Sequence, residues 1–299
     1  MMIRSWIEAF RPHTLPLAVG GIALGNFMGA ANGAFNGWVC ALSLLTAIFL
    51  QILSNLANDY GDFMHGADNA DRQGPQRAVQ TGLISPAAMK AAILVLALLS
   101  LVSGVILLWI SASRIGWMSA GIMLALGIAA IIAAVTYTAG DKPYGYAGLG
   151  DISVFLFFGM LAVPGSIFLQ KGSLSAVDFL PAAAYGLLST AVLNVNNMRD
   201  IETDRIAGKH TIPVRIGRDA AKSYHFLLVG GACFALIVYS VLMAEHWVNW
   251  SYLPVFLLFG IHILGIMKTN RPAEFNPYLK QLALITFALS MVFGVCLLF

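Results

Sequence analysis

Charge is what this sequence has least of. Only 10% of its 299 residues are Asp, Glu, Lys or Arg, where a soluble domain carries about 25%, so an ordinary soluble enzyme is excluded. The net charge of +3, from basic residues scattered along the chain, excludes a nucleic-acid footprint. Cys40, Cys233 and Cys296 stand apart inside apolar runs with no Cys-x-x-Cys or Cys/His ligand spacing. That excludes a disulfide framework and a zinc site, and all three read as core residues. His13, His65, His210, His225, His246 and His262 likewise show no pairing at metal-ligand spacing and receive no role. No polar stretch is long enough for a separate soluble domain, so 1–299 reads as a single membrane-embedded domain.

What is abundant is apolar length: 59% of residues are hydrophobic and the mean hydropathy is +0.80. A membrane-crossing helix needs about 20 mostly apolar residues, and such runs fall at 14–33, 37–58, 89–111, 116–138, 149–170, 176–197, 224–244, 250–267 and 279–298. The expected fold is all-α, a polytopic bundle of nine spans. The first run is too long for a signal peptide and leads into further spans. Before it, Ile3, Trp6, Ile7 and Phe10 form an apolar stripe opposite Arg4, Glu8 and Arg11, which predicts a short helix on the membrane surface. With nine spans, fifteen of the 17 basic residues, all but Arg114 and Lys171, lie on the N-terminal side of the bilayer. Basic loops stay inside, so the N-terminus is expected in the cytoplasm and the C-terminus outside. Twelve of the 14 acidic residues, all but Asp178 and Glu245, share the inner side. Acidic residues contribute little to topology, so their clustering points to chemistry.

Two inner connections are long and polar, 59–88 and 198–223, which is characteristic of functional loops. They follow spans two and six, both of which end in Asn-x-x-Asn, at Asn55/Asn58 and Asn194/Asn197. A duplication relating helices 1–4 to helices 5–8 would account for that. Gly21, Gly25 and Gly29 form a small-residue stripe that lets a neighbouring helix approach within the bundle.

Positions i, i+3 and i+7 share a helix face. Asn55, Asn58 and Asp62 satisfy that spacing, as do Asn197, Asp200 and Asp204, so two matching polar stripes are expected at corresponding ends of two spans. One reading makes them solvated helix ends, salt-bridged to nearby bases. Against it, carboxylates gathered beside apolar spans repel one another and need a compensating cation. Carboxylate and amide oxygens suit Mg2+, which is held by one or two carboxylates together with substrate phosphates. Arg72, Arg77, Arg199, Arg205 and Lys209, interleaved with the acids, suit the remaining phosphate charge. The pattern points to a clamp for Mg2+ and a diphosphate. The competing class is an ion-coupled secondary transporter, whose ion sites lie near mid-span instead.

With those residues in view, the sequence resembles the UbiA superfamily of intramembrane aromatic prenyltransferases. Asn58-Asp59-x-x-Asp62 and Asp200-x-x-x-Asp204 look like its two Asp-rich motifs, and Arg11-Pro12-His13-Thr14-Leu15 looks like the stretch before its first helix. The stretches 53–62, 144–151 and 196–204, the last followed by Gly208-Lys209, are most similar to the branch that prenylates 1,4-dihydroxy-2-naphthoate. This resemblance implies an inner-membrane enzyme with its site facing the cytoplasm. It would move a polyprenyl group from an allylic diphosphate to that acceptor, with loss of the acceptor's carboxylate, giving demethylmenaquinone.

The resemblance further implies Mg2+ held by Asp59, Asp62, Asp200 and Asp204, outer phosphate contacts from Arg72, Arg77, Lys142 and Lys209, and substrate contacts from Asn55, Asn58, Asn194 and Asn197. Tyr60, Tyr137, Tyr144 and Tyr146 either stabilise an allylic cation through their ring faces or form an interfacial belt. Asp151 either accepts a proton from the acceptor hydroxyl or partners a helix dipole. Two departures matter. Gly66 stands where many members carry a further Asp, so the likeness does not extend to Asp68. Tyr137-Thr-Ala-Gly-Asp-Lys142 replaces the Tyr-Pro-x-x-Lys-Arg of the 4-hydroxybenzoate branch, which argues against that acceptor.

Overall fold

The computed structural model describes residues 2–66 and 77–299, and among these there are helices and turns but no strand. Without water to satisfy it, a lipid-embedded backbone must close its hydrogen bonds internally, which a helix does. The elements are α1 (Met2–Phe10), α2 (Leu15–Ala31), α3 (Gly37–Met64), α4 (Pro86–Ile115), α5 (Trp117–Thr136), α6 (Gly150–Val154), a π-helical segment (Phe155–Leu161) and α7 (Ala162–Lys171). They continue as α8 (Phe179–Arg199), α9 (Ile201–Ile206), α10 (Ile212–Ile216), α11 (Arg218–Met243), α12 (Val255–Lys268) and α13 (Phe275–Cys296). Nine helical spans among the described residues are long and apolar enough to cross a membrane, as the apolar runs predict.

The differences from the sequence reading lie at the ends and in span five. α3 runs to Met64, carrying Asp59 and Asp62 on its last turns, because a helix does not stop where its apolar run does. Span five is one helix only in outline: seven π-helical residues interrupt it, and such wide turns recur at functional sites. The segment meets α8 almost backbone to backbone, since a Cβ on Gly159 would lie 2.5 Å from the Ala182 carbonyl oxygen. The second stripe is not one helix either. α8 ends at Arg199, Asp200 caps it, and α9 begins at Ile201, so Asp200 and Asp204 sit on either side of a bend.

α1 is separated from α2 by Arg11, which holds a left-handed φ of 52°. Its predicted stripe divides, with Trp6 and Phe10 packed on the α3–α4 cluster and Ile3 and Ile7 exposed, as suits a helix lying between protein and lipid. The main core joins α2, α7, α8, α11 and α13. α5 is peripheral, with Ala120 its one buried residue. Of the cysteines, Cys296 is buried and Cys233 is partly buried against the main core, as read from the sequence, while Cys40 is partly buried outside it, because an apolar run serves lipid contact as well as core. The histidines correct a second expectation: the fold brings His225 and His262, 37 positions apart, to an Nε2–Nε2 distance of 3.1 Å, with His262 Nδ1 3.1 Å from Gln281 Oε1.

The glycine stripe of α2 is an internal packing face. Added Cβ atoms at Gly21, Gly25 and Gly29 would meet Tyr185, the Val163 carbonyl and Gln170 at 2.9, 2.4 and 2.7 Å. Overpacking costs roughly 1–3 kcal/mol, so Gly25→Val should lower the melting temperature in detergent by about 5 °C. Gly121→Val, where a Cβ meets nothing, should leave it unchanged.

Candidate functional site

The polar ends of α3 and α8 meet two loops, 137–149 and 207–211, at one end of the bundle. α3 brings Asp59 and Asp62 there. One turn earlier, Asn55 donates to the Phe10 carbonyl and to Thr14 Oγ1, both at 2.9 Å, fastening the α1–α2 corner to α3. Asn58 Oδ1 accepts from Thr138 Oγ1 at 3.0 Å. Gly61 lets the loop close on α3, since a Cβ there would lie 2.4 Å from the Thr138 carbonyl oxygen.

The two acids of α3 point to different partners. Asp59, 1% exposed, pairs with Arg11 and, at 3.2 Å, with Arg77 Nε. Asp62 accepts from Tyr146 Oη at 2.7 Å and pairs with Lys209 Nζ at 3.0 Å. The same ammonium lies 3.7 Å from Asp204 and 4.8 Å from the centre of the Tyr146 ring. Lys209 therefore bridges the first acidic motif to the second. The loops are tied directly as well, with His210 N donating to the Tyr146 carbonyl at 2.8 Å and Arg215 Nη2 to the Ala147 carbonyl at 2.7 Å. Asp200 belongs to a separate cluster: Arg199 holds its carboxylate through Nε at 2.8 Å, and reaches Asn196 and, across to α13, Asn276.

Burial pushes the Asp204 carboxyl up to about 6, with Asp200 and Asp62 adding to the shift while Lys209 and Arg199 oppose it. Burial likewise raises the Tyr137 phenol, as do nearby Asp151, Tyr144, Asp204 and Asp62, so it stays a donor at neutral pH. Tyr144 is raised by burial too, against a hydrogen bond with Ser153. Asp151 is buried at the start of α6 and accepts from Tyr224 Oη at 3.1 Å.

Thus Asp62, Asp204, Lys209 and Tyr146 come together, while Asp59 with Arg77 and Asp200 with Arg199 form flanking pairs. Asn194 is buried in the contact between α8 and α11, donating to the Ala221 carbonyl at 3.0 Å, and Asn197 is buried near the end of α8. Lys142 is exposed, with no ion-pair partner among the described residues. Arg72, Asp68 and Asp71 lie outside the described residues. Arg11, Tyr224 and Asn276 entered no sequence-based assignment of roles. For Arg11 there was a signal, a cation beside Pro12 between an amphipathic helix and an apolar run; for the other two there was none.

Beneath this polar end runs an apolar cavity of about 400 Å3, within the size range of ligand sites. Asn55, Asn58, Tyr137, Tyr144 and Ser153 line one end of it, and Leu107, Met123 and Leu169 the other. Oxygen-rich ligands and cations at the mouth of an apolar cavity suit an anionic head on a long apolar tail. Among the described residues no three carboxylate or imidazole groups form a preassembled metal cage.

The sequence pattern of the UbiA prenyltransferase family matches residues 18–285. The chain is 42% identical to 1,4-dihydroxy-2-naphthoate octaprenyltransferase of Haemophilus influenzae, covering 99% of this chain and 96% of that one. To the protein of the same name in Escherichia coli it is 43% identical, covering 93% and 90%. Among solved structures, a UbiA homolog from Archaeoglobus fulgidus bound to GPP and Mg2+ superposes with a TM-score of 0.68 at 18% identity, over 98% of this chain and 99% of that one.

Lys209 stands between acids that a divalent cation would draw together. Lys209→Met should lower the melting temperature of metal-free protein and enlarge the rise produced by Mg2+, because the competing ammonium is gone. Equal rises in parent and variant would disconnect Lys209 from the carboxylates.

Proposed function

Because the chain belongs to the UbiA prenyltransferase family, we infer that it transfers a polyprenyl group from an allylic diphosphate to 1,4-dihydroxy-2-naphthoate in menaquinone biosynthesis. The ring carbon bonds to the allylic carbon as the carbon–oxygen bond to diphosphate breaks, and the ring carboxylate leaves as CO2, giving the hydroquinone form, demethylmenaquinol, whose oxidation to the quinone is a separate step. The observation that carries this reading is identity of 42–43% along nearly the whole length of two enzymes bearing that name. The cavity supports it independently, being lined mostly by apolar side chains, with Asn55, Asn58, Tyr137 and Tyr144 at one end.

Mg2+ is the proposed cofactor: Asp62, Asp200 and Asp204 would hold it, and when bound it would supply positive charge to the departing diphosphate. The bridging ammonium of Lys209, shared by Asp62 and Asp204, supports a cation there. Asp59 joined this set in the sequence reading. Its pairing with Arg11 and Arg77 instead supports a role in holding those guanidiniums ready for phosphate oxygens. Lys209, once released from the acids, would reach the same anion, and Lys142 stands exposed on the 137–149 loop; Arg72, the other proposed phosphate contact, lies outside the described residues. Asn58 and Asn55 border the cavity mouth. Tyr137, also on the cavity wall, is a neutral hydrogen-bond donor for the acceptor ring, with Tyr144 lining the same end and Tyr146 hydrogen-bonded to Asp62. Asp151, reached by Tyr224, is the proposed proton acceptor. The apolar walls keep water from the allylic centre.

The protein is an integral membrane protein, its spans forming one bundle. The distribution of Lys and Arg supports a cytoplasmic N-terminus and a cytoplasmic site in the inner membrane. Family membership leaves the transporter reading without support.

In membranes supplied with an allylic polyprenyl diphosphate, the chain should prenylate 1,4-dihydroxy-2-naphthoate and release CO2 only when Mg2+ is present, with 4-hydroxybenzoate a poor acceptor. Preference for 4-hydroxybenzoate would overturn the acceptor while leaving the diphosphate chemistry intact. Asp62→Ala and Asp200→Ala should each reduce turnover by at least 10²-fold while the melting temperature stays within a few degrees of the parent. Near-normal turnover in either would remove that residue from the metal site.

A further inference from the structure

Two oxygens on the cavity wall have nothing to bind. Of the serine and threonine hydroxyls lining the cavity, those of Ser43, Thr46, Ser100 and Ser166 are spent on carbonyls of their own helices at 2.7–2.9 Å, and Ser153 Oγ meets Tyr144 Oη at 3.1 Å. Ser54 is the exception: it lines the same cavity, yet its Oγ has no hydrogen-bond partner among the described residues. Gln51, three positions earlier on α3, lines the cavity beside it. Its Nε2 lies 3.3 Å from both Thr14 Oγ1 and Asn55 Oδ1, while its Oε1 accepts nothing among the described residues. Neither oxygen is sealed within the protein, so both open on the cavity.

The neighbours of the Gln51 amide fix which way round it sits. Asn55 Nδ2 donates to the Phe10 carbonyl and to Thr14 Oγ1, which leaves Asn55 Oδ1, purely an acceptor, toward Gln51. Thr14 Oγ1 gives its one proton to the Arg11 carbonyl at 2.9 Å, so it too can only accept. Both partners of Gln51 therefore demand N–H, and the amide oxygen is the group left over. An amide oxygen accepts a hydrogen bond and donates none, so whatever satisfies it must bring a donor. A prenyl chain has no donor, and diphosphate belongs at the cationic mouth, where Asn58 stands about 10 Å further along α3. In the proposed reaction the donor is a hydroxyl of the aromatic acceptor. Of the two on 1,4-dihydroxy-2-naphthoate, the one beside the carboxylate closes an internal hydrogen bond and the other is free.

We propose that Gln51 and Ser54 form the subsite for that free hydroxyl, which donates to Gln51 Oε1 and accepts from Ser54 Oγ, and that this pair selects a hydroxylated acceptor. The inference rests on the prenyl-transfer reading, with the aromatic acceptor as the occupant. Residues three apart on a helix hold their Cβ atoms about 5–6 Å apart, a span that two hydrogen bonds meeting at one oxygen can bridge. A ring held there by its hydroxyl has its carboxylate free to face the mouth and its cations. Polar groups left unpaired in an apolar wall are costly. The acceptor relieves that cost on arrival, whereas an analogue without the hydroxyl leaves both oxygens unpaired. Because an amide oxygen holds the proton without removing it, the contact serves binding and choice of acceptor.

The test measures binding to purified protein without a prenyl donor, by anaerobic isothermal titration. Two ligands are compared: 1,4-dihydroxy-2-naphthoate, and 2-naphthoate, which has the same rings and carboxylate but no hydroxyl. The parent should bind the dihydroxy acid tighter by about tenfold or more. Gln51→Met, close to isosteric, should reduce that preference to about threefold or less by weakening the dihydroxy acid alone. Ser54→Ala leaves the Thr14 and Asn55 ties of Gln51 in place. It should cut the preference by about threefold or more, and it carries the test if the methionine variant folds poorly. Ser100→Ala, on the cavity wall with its hydroxyl already spent, should change neither affinity. A merely structural role for Gln51 would weaken both ligands equally. That result, an unchanged preference in either folded variant, or a parent that does not discriminate, overturns the subsite. Failure of the parent to prenylate any aromatic acceptor would overturn the functional reading instead.

Discussion

At the acidic end of the bundle Asp59, Asp62, Asp200 and Asp204 each face a cation, and the arrangement of that end depends on this pairing. A charge drawn out of water and left unpaired costs several kcal/mol. The cations that prevent it come from the α1–α2 corner, from Arg77, from the end of α8 and from the loop after α9. Pairing therefore fastens four otherwise separate stretches of chain over the cavity mouth. The left-handed backbone at Arg11 fits this picture, since a strained residue persists where its surroundings over-determine it, and Arg11 is held by the carboxylate of Asp59.

The apolar body obeys another constraint. Lipid tails are as apolar as leucine, so helices gain little from hiding hydrophobic surface and associate instead through close backbone approach and a few interhelical hydrogen bonds. Gly21, Gly25 and Gly29 of α2 and the Gly159–Gly186 contact supply the first. The second comes from pairs such as Thr46 Oγ1 with Ser103 Oγ at 2.9 Å and Gln170 Nε2 with Asn26 Oδ1 at 2.6 Å.

The spans were legible because length and hydropathy alone fix them, and the acidic motifs because carboxylates are rare in such a chain. Pairing was not. Sequence spacing put Asp59 and Asp62 on adjoining turns and grouped them as equivalent ligands, but it carries no information about Arg11, 48 positions away. The break at Asp200 was hidden for a similar reason: the spacing of Asn197, Asp200 and Asp204 suits a continuous helix, and only the local geometry around Asp200 divides it. The π-helical turn of span five is silent in an apolar run. So is the distinction between lipid-facing and core cysteines, since lipid and core reward the same residues.

The divergence of Asp59 and Asp62 gives the site a direction. Residues three apart on a helix differ by about 60° around the axis and 4.5 Å along it, enough for one acid to gather two guanidiniums while the other reaches the second motif. Two guanidiniums thus gather around Asp59 on the side of α1, while Asp62 and Asp204 share the Lys209 ammonium on the side of α8 and α9. In the proposed reaction Arg11 and Arg77 would offer donors to the diphosphate, while Asp62, Asp200 and Asp204 would hold its cation. Loading would then exchange partners, acid with metal and base with phosphate, without exposing an unpaired charge to the apolar interior at either stage. An end state reached by exchange of partners needs no large movement of the helices. The bundle can therefore remain rigid around the tail while only side chains at its polar mouth rearrange.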